Sequence, residues 1–199
     1  MLRRNPRRLR RLFTVVATTL LAMIIATPAW AHHTVILTKA NTPGNAPRVV
    51  DGGVSFAFYG WINKPLDTRS FKLTFTAGQR VYFEGIMPDA APENTIPNAL
   101  LPQILVTTPS GNVISVPPTL RESFYEEHSH SQLIRFSKFD RIAEAGTYQF
   151  VIFGAKQQRF ALATGLEEAP GQLVNGTIGN FYDVIHWYQT PAPYDPAGL

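Results

Sequence analysis

Phe71-Lys72-Leu73-Thr74-Phe75-Thr76-Ala77-Gly78-Gln79-Arg80-Val81-Tyr82-Phe83 decides the fold class of this chain. Phe71, Leu73 and Phe75 fall at every second position. On a strand they share one face; on a helix they would scatter around the cylinder. Ala77-Gly78-Gln79 breaks the run, and the alternation resumes at Val81 and Phe83. The stretch reads as two alternating strands in succession across a short turn.

The same period recurs outward in both directions. Val54, Phe56 and Phe58 alternate with Ser55, Ala57 and Tyr59. Ile104–Val106 and Val113–Val116 flank Pro109-Ser110-Gly111-Asn112, a strong turn sequence. Tyr148, Phe150 and Ile152 make another strand, and Phe160 with Leu162 a shorter one. Short aromatic and β-branched runs at intervals of about ten residues predict an all-β fold, an antiparallel β-sandwich of jelly-roll-like form. Three stretches read as non-strand: the proline-rich 87–102, the segment 117–131, and the tail from Gly165. In the tail, Phe181–Tyr188 reads as one or two helical turns covering a sheet edge, before Pro191, Pro193 and Pro196 end regular structure.

The N-terminus follows a different logic. Arg3, Arg4, Arg7, Arg8, Arg10 and Arg11 precede an apolar run, Leu12–Ala26, and then Ala29-Trp30-Ala31. A basic start, a short apolar core and small residues at the cut define a secretory signal, with cleavage expected after Ala31. The alternative is a retained anchor, but the run is shorter than the roughly 20 residues a spanning helix needs. Arg10-Arg11-Leu12-Phe13 resembles a twin-arginine motif, which leaves the export route open between the general and twin-arginine systems. The expected organisation is a signal at 1–31 and a single sandwich domain at 32–199. That places the mature chain in the periplasm or outside the cell, with no membrane span after cleavage.

Cleavage changes the charge argument. Of 18 Lys and Arg, six lie in the signal, which leaves 12 against 14 acids, a net of −2. The basic character of the full chain belongs to its signal, and no basic surface remains for nucleic acid. With no cysteine, disulfides and thiolate metal sites are excluded.

The order of motifs resembles the bacterial pre-peptidase C-terminal domain, a small secreted β-sandwich, over about residues 69–164. The matching pieces are Phe71–Phe83, Ile104-Leu105-Val106-Thr107-Thr108-Pro109-Ser110-Gly111-Asn112, Ala145-Gly146-Thr147-Tyr148-Gln149-Phe150-Val151-Ile152 and Phe160-Ala161-Leu162. The resemblance implies an accessory domain that adheres or binds without catalytic residues of its own. Leu101-Pro102-Gln103 stands where that family often places an acidic residue before the middle strand, which argues against calcium. The segments 32–67 and 165–199 lie outside the match.

The histidines are the most informative candidates. Cleavage after Ala31 would make His32 the first residue, joining a free amine and an imidazole on one residue. A further imidazole from His128 or His130 would complete a nitrogen set suited to Cu(II). In this respect the mature start resembles exported copper proteins with a histidine brace, although His33 follows where such proteins commonly have a small residue. The metal candidates are therefore His32, His33, His128 and His130. Set against them are a frayed, solvated terminus and a polar loop at Glu126–His130. His186 reads as a packed residue of the tail.

Other chemistry is thinner. Glu126-Glu127 and Glu167-Glu168 are adjacent, so on strands they face opposite ways and form no acid–base pair. Asp89 and Glu93 offer oxygen ligands for Ca²⁺ in the proline-rich loop, against a solvated loop. No nucleophile elbow or metalloprotease motif is present. Tyr59, Trp61, Trp187 and Tyr188 suggest a flat platform for glycan or peptide, with core packing as the competing reading. The expected function is an exported, non-catalytic binding module for an extracytoplasmic protein or glycan. The alternative is a copper-binding protein anchored by His32, with a copper-dependent oxidative enzyme as the remotest form of that reading.

Overall fold

The computed structural model of this chain describes residues 32–196; the signal expected at 1–31, with its cut after Ala31, lies outside the described residues. Twelve strands make two six-stranded sheets. They are β1 (His33–Ile36), β2 (Arg48–Val49), β3 (Phe56–Ile62), β4 (Thr68–Phe75), β5 (Arg80–Pro88) and β6 (Gln103–Thr107), then β7 (Val113–Val116), β8 (Glu122–Glu126), β9 (Ser131–Ile142), β10 (Gly146–Phe153), β11 (Gln158–Thr164) and β12 (Leu173–Val174). One helix, α1 (Phe181–Gln189), follows. The first sheet runs β1-β3-β11-β5-β9-β8 and the second β12-β2-β4-β10-β6-β7. No helix among the described residues is long and apolar enough to cross a membrane.

The sandwich is the all-β fold that the alternation predicts. Phe71, Leu73 and Phe75 of β4 lie opposite Phe150, Tyr148 and Gly146 of β10 in antiparallel register. Their inward faces meet the other sheet: the Phe71 ring stacks on Phe58 at 3.8 Å and on Phe150 at 4.6 Å, and Phe83 meets Phe150 edge-on at 5.6 Å. Phe56, Phe58, Phe71, Phe83, Phe136, Phe150 and Phe160 are all fully buried. Stacked aromatic pairs of this kind add about 0.5–1.5 kcal/mol each beyond the area they bury. Thr108–Gly111 makes the expected turn before β7, with the Gly111 amide donating to Thr108 O and Gly111 at φ +86°.

Several features depart from the sequence reading. The sandwich is not wholly antiparallel, since β1 pairs with β3, and β2 with β4, in parallel. β1 and β2 are short and lie in segments without long alternation. β8 occupies part of 117–131, and β9 begins at Ser131; their apolar residues are interspersed with charged ones without a clean period of two. β5 continues to Pro88, past a bulge at Gly85/Ile86. α1 covers a face of the first sheet and not an edge. Asn180 caps it: its side chain accepts from the Tyr182 amide, while Asp183 accepts from the Asn180 amide at 2.7 Å.

The helix creates a second core. Successive residues of β3 face opposite ways, so Phe56, Phe58 and Ile62 enter the inter-sheet core while Ala57, Tyr59 and Trp61 face outward. There Val184 and Trp187 of α1 close over them, with Ile86, Leu133 and Ala161. Trp187 Nε1 donates to Gly60 O at 3.2 Å, and Trp61 Nε1 donates to Thr190 O at 2.8 Å. Each buried indole thus satisfies its one polar group.

Candidate metal site at the start of the first sheet

The first residue expected in the mature chain is docked. The His33 amide donates to Ser55 O at 3.1 Å and opens β1. Beside it, His32 Nδ1 hydrogen-bonds the Ser55 hydroxyl. Ser55 precedes β3 by one residue and its own amide donates to Glu167 O at 2.9 Å, which brings the 165–168 segment alongside. Gly165 makes that approach possible: it sits at φ +72°, and a Cβ there would lie 2.2 Å from Val54 O. His33 is thus buried within β1, while His32 is exposed and touches Ser55.

The His128 loop belongs to the same neighbourhood. The Gly179 amide donates to Thr34 O at 2.8 Å, which ties the approach to α1 onto β1. Phe181, two residues on, meets the His128 ring edge-on at 5.4 Å. The β8–β9 turn carrying His128 is closed by Glu126, whose carboxylate accepts from the His128 amide at 2.9 Å and the Ser129 amide at 2.6 Å.

Electrostatics tie these pieces together. His32 as a whole is exposed, but partial desolvation of its ring lowers the imidazole below its ordinary value, against the opposing pull of Glu168, Glu126 and Glu84; a nearby His128 adds to the lowering. Burial works against the ionised Glu126, yet the hydrogen bonds from Ser129 and His128 outweigh it and keep the carboxyl below its usual range. Glu84 is neutralised: it meets Arg135 at 2.7 Å and Lys138 at 3.9 Å, and accepts from the Tyr82 hydroxyl at 2.5 Å. Tyr59 lies below; burial, with Glu126 nearby, pushes its phenol well above its ordinary value, so it stays protonated.

The four histidine candidates separate. His32 and His128 share one neighbourhood. His33 is buried against Phe56, and its Nε2 lies 3.0 Å from Ala169 O and 2.9 Å from the Gly171 nitrogen, so that nitrogen fastens the tail and is not offered to a metal. His130, at φ +50°, places Nδ1 3.0 Å from the Tyr125 hydroxyl. Phe124 packs toward the core beneath α1, so Tyr125 and with it His130 lie on the other side of β8. His186 is exposed, with its ring edge-on to Tyr194 at 5.0 Å. Among the described residues no three His, Asp or Glu side chains converge closely enough to hold a metal by themselves. A site here needs the terminal amine of a cleaved His32 as a donor.

The aromatic platform is corrected. Tyr59, Trp61 and Trp187 are buried in the second core, with Tyr59 edge-on to Trp187 at 4.9 Å. Tyr188 is half-buried, and its hydroxyl donates to Gln132 O at 3.2 Å. Packing of the sheet against α1 consumes the surfaces that a ligand would use. The calcium alternative loses its loop as well. Glu93 is fully buried and accepts from Arg159 Nε at 2.8 Å and Nη2 at 2.5 Å. Asp89 accepts from the Ser123 hydroxyl at 2.5 Å.

The sequence reading missed Ser55, Glu84, Glu126, Glu168 and Phe181 as neighbours of the site. Ser55 carried one usable signal, a polar residue on the outward face of a strand otherwise apolar on both faces. The rest depends on tertiary contacts.

No family model matches the chain, and no curated protein sequence matches it. Among solved structures it is similar to CorA of Methylomicrobium album BG8, described as a surface-associated copper-binding protein important in copper acquisition. The identity is 14%, covering 69% of this chain and 99% of that chain, with a TM-score of 0.27. A superposition that loose transfers neither fold nor function to this chain.

Proposed function

We propose that the mature chain is an exported Cu(II)-binding protein whose first ligand residue is His32. The supporting observation is the docking of His32 against Ser55, in the electrostatic company of His128. Cleavage after Ala31 would add a free amine beside the His32 imidazole, whose Nδ1 would exchange the Ser55 hydroxyl for the ion. Amine plus imidazole nitrogen is a donor set that suits Cu(II), which stands at the top of the affinity order for divalent first-row metals. His128 supplies the second imidazole, while His33 and His130 serve structure. The proposed role of the site is to bind the ion.

The test is a Cu(II) titration of the chain exported and processed in a bacterial host, with its start at His32 verified by mass spectrometry. A second version carries one extra residue before His32, which turns the amine into an amide. Stoichiometric binding by the first, weakened at least a hundredfold in the second, is the expected result. Equal affinity in both, or no binding in either, would falsify it.

A further inference from the structure

We infer that the cavity between β1 and the segment 175–183 is a binding site for a neutral sugar. It lies toward Ile36, the end of β1 away from His32, and stands apart from the copper reading. The cavity measures about 520 Å³, within the roughly 300–1,000 Å³ of small-molecule sites. One wall is the loop after β1, with Thr38, Asn41 and Asn45; the other is the stretch Asn175–Asn180 with Asp183. Asn175, at φ +58°, ties the walls together: its Nδ2 donates to Asn45 Oδ1 at 3.0 Å.

Two independent observations select the ligand. The first is charge. No Lys, Arg or His lines the cavity, and its one carboxylate, Asp183, accepts from the Asn180 amide at 2.7 Å. A phosphate or carboxylate would meet no counter-charge there, and an unpaired desolvated anion is costly. The second is the set of polar groups left once the fold's own bonds are made. Asn41 Oδ1 accepts from the Thr38 amide at 2.7 Å, and Asn180 Oδ1 from the Tyr182 amide at 2.8 Å. Among the described residues their Nδ2 groups have no acceptor, and Asn175 Oδ1 has no donor. The backbone adds a pair. The His33 and Leu37 amides donate to Ser55 O and Tyr59 O, so by alternation Thr34 and Ile36 face the open side of β1, which is a sheet edge. Gly179 takes Thr34 O there at 2.8 Å, and Ile36 keeps its amide and carbonyl for a ligand. Fixed amides beside backbone donors and acceptors match a row of hydroxyls, each of which donates and accepts at once. Ile36, Pro47 and Ile178 offer apolar surface to the C–H face of a sugar ring. An extended peptide fits less well, because Gly179 on Thr34 leaves one residue of free edge for strand addition.

The experiment is an amide-resolved NMR titration of the processed, metal-free chain with glucose, galactose, mannose, N-acetylglucosamine and their common disaccharides. Glucuronate is the charged control and tetra-alanine the peptide control. The inference predicts saturable shifts with at least one neutral sugar, confined to residues 36–47 and 175–183, and none with glucuronate. Asn41→Asp keeps the acceptor for the Thr38 amide and removes the donor, and Asn175→Gly keeps the left-handed backbone and removes the side-chain amide. Each is expected to weaken binding roughly three- to tenfold, the loss of one or two hydrogen bonds, with the rest of the spectrum unchanged. The inference is overturned by no shift with any sugar of the panel, by shifts elsewhere on the sandwich, or by glucuronate binding as well as glucose. It is overturned equally by tetra-alanine shifting these amides when the sugars do not, or by both variants binding like the parent. None of these outcomes touches the copper titration, since no proposed copper donor lines the cavity.

Discussion

At the scale of single residues, the buried pair Arg159–Glu93 shows how loop and sheet are joined. Glu93 comes from a short 3-10 turn after β5 and Arg159 from β11, with side-chain exposures of 0% and 2%. Arg159 also donates to the Tyr188 carbonyl near the end of α1, so one guanidinium links loop, sheet and helix. Removing one partner leaves the other charged and desolvated. Glu93→Ala is expected to destabilise the fold by about 3–5 kcal/mol, read by urea denaturation. A loss below about 1 kcal/mol would show that the pair contributes little. None of this was legible in the sequence, where Glu93 stands among prolines and reads as solvated; its partner lies 66 residues away. His32 is the contrary case. Its proposed role rests on the cut expected after Ala31, and the structure adds the contact with Ser55.

At the scale of elements, α1 is short, and packing more than helix propensity holds it in place. Its nine residues bury Val184 and Trp187. Trp187→Ala is expected to cost about 3–5 kcal/mol, the range for deleting a large buried aromatic, whereas Asn180→Ala should cost about 1 kcal/mol through the lost cap. Chemical denaturation of both variants checks the order, and a larger loss for the cap would contradict it. The strands with clean alternation, β4, β5, β6 and β10, were legible because each shows the core one apolar face. β8 and β9 were less so, because Glu122, Arg135, Lys138 and Asp140 sit on the exposed face of a sheet edge. The second core was hidden for a related reason. β3 is apolar on both faces, and only the later placement of α1 explains Tyr59 and Trp61.

At the scale of the whole molecule, the two sheets form the scaffold, and the proposed site lies where β1 starts. β1 joins the edge of the first sheet in parallel with β3. That pairing fixes where His32 sits, and the segment 165–181 runs beside it, with Glu167 O receiving the Ser55 amide and the Gly179 amide donating to Thr34 O. A sandwich of this kind needs no metal to fold, so loss of copper should leave the structure intact, in contrast to small domains that fold only around zinc. The fold class was legible from apolar period alone; the convergence of His32 and His128 was not, since 96 positions of sequence separate them. The most direct measurement is electron paramagnetic resonance of the processed chain loaded with one equivalent of Cu(II), counting directly bound nitrogens. The account predicts three nitrogens, one fewer in His128→Ala, and no change in His130→Ala. A spectrum unaltered by His128→Ala, or one that loses a nitrogen in His130→Ala, would contradict it.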